Sequence, residues 1–169
     1  TTFSFSPAAV LRPVRAKHPG EMSVASQNLL RFFDADPTNG PDDGPVTPAE
    51  YQDRLVKASL HIRTALQAPD VLCLEEVENV GALDDLAAQI ALDDPALHYT
   101  AYLLEGNDIG GIDTGFLVRD TVAVTAPVAQ VGLDTLLSVD GSLLNDRPPL
   151  VLEAEYLANG APFPITVIG

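Results

Sequence analysis

Asp70-Val-Leu-Cys-Leu-Glu-Glu-Val-Glu-Asn79 is the stretch on which the fold turns. Val71 to Leu74 is a continuous apolar run, the pattern of a strand buried on both faces. Three carboxylates, Glu75, Glu76 and Glu78, then follow almost at once. Carboxylates at the mouth of a buried strand are costly unless water, a donor or a cation compensates them. Taken alone, Leu-Glu-Glu-Val reads as a strand that ends in solvent. A clash between local pattern and chemistry is also where functional sites concentrate.

Upstream of the run, Thr47-Pro-Ala-Glu50 is a capping box with Pro in the first turn, so a helix starts there. Tyr51, Leu55, Ala58, Ile62 and Leu66 form its apolar stripe, and Pro69 ends it. His61 falls between stripe positions and reads as a helix-surface residue. Asp34 to Pro48 is a loop rich in Pro, Gly and Asp. Asp34 to Gly40 departs from a calcium-binding EF-hand loop, because its Gly comes one residue late and Pro45 replaces the bidentate Glu. Met22 to Leu30 reads as a strand with Asn28 near its end. Residues 1–20 show no sustained period and read as a linker or the remnant of an upstream segment.

Downstream, Asn79 caps a second helix with the stripe Val80, Leu83, Leu86, Ala87 and Ile90. Asp84 and Asp85 suit its dipole. Tyr99 to Leu104 and Ile112 to Arg119 read as strands, joined through the turn Gly106-Asn-Asp-Ile-Gly-Gly111. That turn leads into a strand and lacks Lys, so it is not a phosphate loop. Thr121 to Val131 is β-branched, with Pro127 marking an edge or a bend. Leu133 to Asp146 is expected to hold one helical turn. Leu150 to Tyr156 alternates as a half-buried strand, and Phe163 to Ile168 is a last apolar run. Helices alternate with strands and then give way to strands alone, so the class is α+β with a mixed sheet and helices on one face.

The 169 residues can bury one substantial core, with 46% hydrophobic and 20% charged residues. No apolar run reaches the length of a membrane span, and no signal peptide is evident. Net charge is −15, with Lys17 and Lys57 the only lysines. This argues against a nucleic-acid grip built on a broad basic face, since such affinity comes largely from counterion release. It leaves room for phosphodiester chemistry positioned by a cation and a few arginines, and it suits an extracellular or high-salt setting. The single Cys73 excludes an intrachain disulfide and reads as a core residue.

Val24-Ala-Ser-Gln-Asn-Leu-Leu30, Leu74-Glu-Glu-Val-Glu-Asn79, Gly111-Ile-Asp-Thr-Gly-Phe-Leu-Val-Arg119 and Arg147-Pro-Pro-Leu150 occur in a familiar order. From about Met22 to Gly169 the chain resembles the endonuclease/exonuclease/phosphatase superfamily of deoxyribonuclease-like enzymes, and most of all its secreted bacterial nucleases. The resemblance implies part of a four-layer α/β/β/α sandwich with mixed sheets. It implies that residues 21–169 are the N-terminal half of such a domain. It makes Glu76 the ligand of Mg²⁺ (or Mn²⁺ or Ca²⁺) and sets Asn28 beside it as a catalytic residue. Arg147 becomes a phosphate contact, for which a guanidinium fork is suited. Glu75 and Asp113 would stand behind the metal ligand.

Two departures qualify the resemblance. The superfamily usually has Gln before the metal-binding Glu, where this chain has Glu75. The later Asn-His-Leu, Gly-Asp-x-Asn and Ser-Asp-His motifs, which carry the acid, the water-activating Asp and its His, are not in these 169 residues. The expectation is therefore a secreted, metal-dependent nuclease acting on DNA, whose 169-residue portion is inactive alone. Two alternatives stand beside it: a phosphodiesterase or phosphatase acting on a phospholipid or inositol phosphate, and a non-catalytic binding module of the same fold.

Overall fold

In the computed structural model, residues 13–36, 46–156 and 161–169 are described. Most of the Asp34–Gly40 loop and residues 1–12 lie outside them. The run Val71–Val77 is strand β2, at the centre of the first sheet. Beside it β1 (Val24–Phe32) runs parallel and β4 (Asp113–Arg119) antiparallel, and β3 (Tyr99–Leu103) pairs with the far side of β4. Helix α1 (Pro48–Thr64) carries β1 over to β2, as a parallel pair requires. Its capping box is formed in both directions between Thr47 and Glu50. Helix α2 (Val80–Asp93) starts on the Asn79 cap, whose side chain accepts from the Ala82 N–H.

Leu150–Tyr156 forms β7, the spine of a second, antiparallel sheet. It pairs along one side with β5 (Val122–Val124) and β6 (Ala129–Gln130), and along the other with β8 (Phe163–Ile168). The expected single strand over Thr121–Val131 is thus two pieces broken around Pro127, which has no N–H for a ladder. Leu133–Asp146 holds the single turn expected, closed by the Gly141 N–H donating to the Leu137 carbonyl at 2.9 Å. It is an irregular loop closed by the isolated bridge Leu136–Leu143, with Gly132 and Gly141 at positive φ. Among the described residues β8 pairs with β7 alone, and its Phe163 and Ile168 are well exposed.

The side-chain alternation of β2 divides the interior in two. Leu72 and Leu74 face α1 and α2 and pack with Leu55, Ile62, Leu83, Leu86 and Ile90. Val71 and Cys73 face the second sheet and pack with Phe116, Leu150, Leu152 and Ala154. The protein is therefore an α+β sandwich with both helices outside the first sheet. The layers α, β and β of the expected four are present among the described residues. Among them, no helix is long and apolar enough to cross a membrane.

One buried charge ties the start of β2 to its surroundings. Asp70 is fully buried, and both of its oxygens lie 2.7 Å from the Lys17 ammonium. The Ser23 N–H and the Thr121 hydroxyl donate to it as well, each at 2.7 Å. Burial pushes the Asp70 carboxyl up, but the Lys17, Thr121 and Ser23 bonds outweigh it and hold the group below the usual carboxylate range. Lys17 belongs to the stretch read as linker, and Val14 N–H also donates to the Ala65 carbonyl at 2.9 Å.

Asp70→Ala is expected to lower unfolding stability by about 3 kcal/mol, because it leaves Lys17 and two other donors facing an apolar gap. A lower urea midpoint at unchanged slope is the readout. A carboxyl held below its unfolded value contributes stability above about pH 4 and loses it as pH falls through the folded value. The gap between parent and variant should therefore narrow on acidification.

Candidate functional site

Strict alternation along β2 would send residue 76 to the same side as Leu72 and Leu74, into the helix-facing core. A carboxylate there would be buried without compensation. The backbone avoids this with a bulge. Against β4, Glu75 pairs with Thr114 and Val77 with Asp113, which leaves Glu76 as one extra residue. Glu76 adopts φ +59, turns out of the core, and returns Val77 to it. The neighbouring β1 makes the same correction. Its register runs Asn28 to Glu75 and then Phe32 to Val77, with Leu30 and Arg31 at φ 57 and 53. Left-handed backbone at non-glycine residues costs about 1–2 kcal/mol each. Three such residues meet at this one end of the sheet.

The strained backbone is held by a compact set of bonds. The Asn28 Nδ2 donates to Glu76 Oε1 at 2.9 Å, and the Arg31 N–H donates to Glu76 Oε2 at 3.1 Å. Asn28 Oδ1 accepts from the Leu30 N–H at 2.8 Å. Arg54 of α1 donates from Nη1 to the Arg31 carbonyl at 2.7 Å. Asn28 therefore has both ends of its amide engaged, and it fixes the half-buried Glu76 in place.

The three carboxylates of the opening stretch separate into different surroundings. Glu75, half-buried, accepts from Ser26 Oγ at 2.7 Å. Glu78 is buried and accepts from the Asp34 N–H at 2.7 Å, so it serves the loop after β1. Glu76 alone stands at the bulge.

Asp113 begins β4 beside Val77 and is only 4% exposed. The Gly106 N–H donates to its Oδ1 at 2.8 Å. A side chain at Gly106 would collide with Asp113 Oδ1 and crowd Pro148 Cδ, so glycine is required there. Burial pushes the Asp113 carboxyl up, a hydrogen bond shared with Glu105 pushes it further, and the nearby charges of Glu105 and Asp108 add to this. Against the Gly106 N–H the net result is a value of about 7. Glu105 carries no signal in the sequence that would have singled it out.

Arg147 is exposed and lies in the loop before β7. Its chain neighbours Asp146 and Pro148 both border Gly106, which in turn touches Asp113. The loop is tied down there, since the Asn107 N–H donates to the Asp146 carbonyl at 2.8 Å. Asn28 and Glu76 are thus in direct contact, while Arg147 sits on the rim of the same sheet end by way of Asp113. His61 reads as a helix-surface residue in the sequence. It is half-buried, with Nδ1 3.1 Å from Gln27 Oε1.

Asp113→Asn keeps an acceptor for Gly106 and supplies a donor to Glu105 without a proton to lose. A carboxyl raised in the folded state loses stability as pH climbs from its unfolded value of about 4 toward about 7. The variant should gain on the parent over that interval, by on the order of 2 kcal/mol at neutral pH after screening through the exposed Glu105. Thermal unfolding followed across the pH range reads this out, and a constant difference would contradict it.

No protein-family profile and no curated protein matches the chain. Among solved structures it is similar to an endonuclease/exonuclease/phosphatase family protein from Bacteroides thetaiotaomicron. The TM-score is 0.49 at 10% identity, over 90% of this chain and 51% of that one. It is also similar to a β-hairpin deletion mutant of beta toxin from Staphylococcus aureus, with a TM-score of 0.45 at 13% identity, over 88% of this chain and 50% of that one. The chain spans about half the length of the structures it matches.

Proposed function

We propose that the protein is a divalent-metal-dependent phosphodiesterase acting on DNA outside the cell, with Glu76 as its metal-anchoring carboxylate. The observation that carries this reading is the bulge. Backbone strain of this kind persists only where the surroundings impose it, and it clusters at functional sites. Here it sets one carboxylate at a strand mouth, with an amide and an N–H fixing its orientation.

The donor set suits some ions and not others. Among the described residues no group of three His, Cys, Asp or Glu side chains could enclose a metal. A single oriented carboxylate fits Mg²⁺ or Mn²⁺, since Mg²⁺ keeps several waters and binds through one or two carboxylates plus substrate phosphate. Each Glu76 oxygen accepts one bond from the protein and retains lone-pair capacity for an ion.

When bound, such an ion neutralises phosphoryl charge and lowers the pKa of a coordinated water. The chain's own part is positional. Asn28 orients Glu76, and Glu75 is held aside by Ser26. Arg147 on the rim supplies a guanidinium for a non-bridging oxygen of the phosphate. Hydrolysis forms a bond from water oxygen to phosphorus, breaks a phosphorus–oxygen ester bond, and passes a proton to the departing alkoxide. A base and an acid are needed for this. In the superfamily the chain resembles, the Asn-His-Leu, Gly-Asp-x-Asn and Ser-Asp-His motifs supply them.

Mn²⁺ titrated into the 169-residue chain should bind weakly, and Glu76→Gln should weaken it further, as read by paramagnetic broadening or calorimetry. Tight binding that survives Glu76→Gln would contradict the assignment. In the whole protein, Glu76→Ala should slow plasmid cleavage on the order of a thousandfold, about 4 kcal/mol of barrier. EDTA should abolish the cleavage. Release of soluble phosphate esters from phospholipid instead of DNA cleavage would shift the substrate to lipid.

A further inference from the structure

A groove of about 380 Å³ runs between the end of β1 and the face of α1. Arg54, Lys57 and His61 line it from the helix, and Gln27, Asn28 and Leu30 from the strand. The helical three lie at intervals of three and four, so they stack along one face of α1. Asn28 lines the groove and also donates to Glu76, so the groove opens directly beside the bulge.

The disposition of cations makes this groove unusual. Lys and Arg number 9 against 24 Asp and Glu, so an unclaimed cation is scarce. Arg15 pairs with Glu21, Lys17 with Asp70 and Arg63 with Asp93. Arg119 donates to the Ala68 carbonyl and Arg54 to that of Arg31. Lys57 forms no ion pair or side-chain hydrogen bond among the described residues, although acids surround the chain. His61 uses Nδ1 toward Gln27, which leaves Nε2 as its other polar atom.

Resting on the phosphodiesterase reading, we infer that this groove holds a phosphodiester flanking the scissile one in a nucleic-acid strand. Lys57 contacts its oxygens, Arg54 flanks it, and Leu30 and Ala58 lie under the sugar. The net charge of −15 disfavours approach to a flat anionic membrane, whereas a thin strand can enter a local basic groove. Lys57 and Arg147 then act on opposite sides of Glu76, the first from the α1 side and the second from the β4 rim.

The test is fluorescence anisotropy of a labelled single-stranded oligodeoxynucleotide with the 169-residue chain in EDTA, over a salt series. Lys57→Glu should weaken binding about tenfold and reduce the log–log salt slope by roughly 0.7 for the lost phosphate contact. Lys57→Arg should bind like the parent. Lys57 is exposed, so circular dichroism should show all variants folded. Unchanged affinity and slope in Lys57→Glu, or no binding by the parent at low salt, would overturn the inference. So would Lys57-dependent binding to phosphatidylserine vesicles with none to the oligonucleotide. Lys57-dependent binding in a chain that takes up no Mn²⁺ would remove the metal assignment and keep the groove as a strand contact.

Discussion

β2 separates two hydrophobic cores, and this constraint governs the rest of the molecule. Leu72 and Leu74 belong to one core and Val71 and Cys73 to the other, so no ionised side chain fits along its middle. Charge is admitted only at the ends, and each end solves the problem differently. At the start, Asp70 stays buried and is surrounded by an ammonium, a hydroxyl and an N–H. At the finish, the backbone leaves the pleat so that Glu76 turns outward. The bulge costs backbone strain on two strands, but an uncompensated buried carboxylate would cost more. β1 must follow the detour, and α1 supports it through Arg54.

The sequence revealed the elements more fully than the interactions between them. Capping residues and apolar stripes act locally, so Thr47, Asn79 and the faces of both helices were legible from spacing alone. The run at Val71–Leu74 announced a strand buried on both sides. The role of Asp70 was hidden, because its partners Lys17, Ser23 and Thr121 are spread over a hundred residues. The Glu105–Asp113 pair was hidden for a similar reason, since only the folded turn brings Gly106 against Asp113. Leu133–Asp146 holds its one turn at Leu137–Gly141, but the bridge between Leu136 and Leu143 that closes the loop was not legible from spacing.

At the candidate site, three adjacent carboxylates were legible as a group, but their division was not. A parity argument could have shown that Glu76 cannot remain in register, because Leu72, Leu74 and residue 76 would share a face. It could not have shown that Asn28 would hold Glu76, which depends on a matching irregularity in β1. His61 fell off the stripe of α1 and so read as a helix-surface residue. Its place in a groove follows from Gln27 on the facing strand.

The outer strand of the second sheet bears on how the protein behaves in concentrated solution. β8 has an unclaimed edge among the described residues, and Phe163 and Ile168 stand exposed on it. Such an edge is a template for joining one molecule to another. Mutual repulsion between chains of net charge −15 opposes that encounter, but only over the Debye length, about 10 Å at 0.1 M salt and about 3 Å at 1 M. The repulsion at that outer strand is therefore strongest in dilute buffer. Concentrated salt shortens the reach of that repulsion to little more than contact distance.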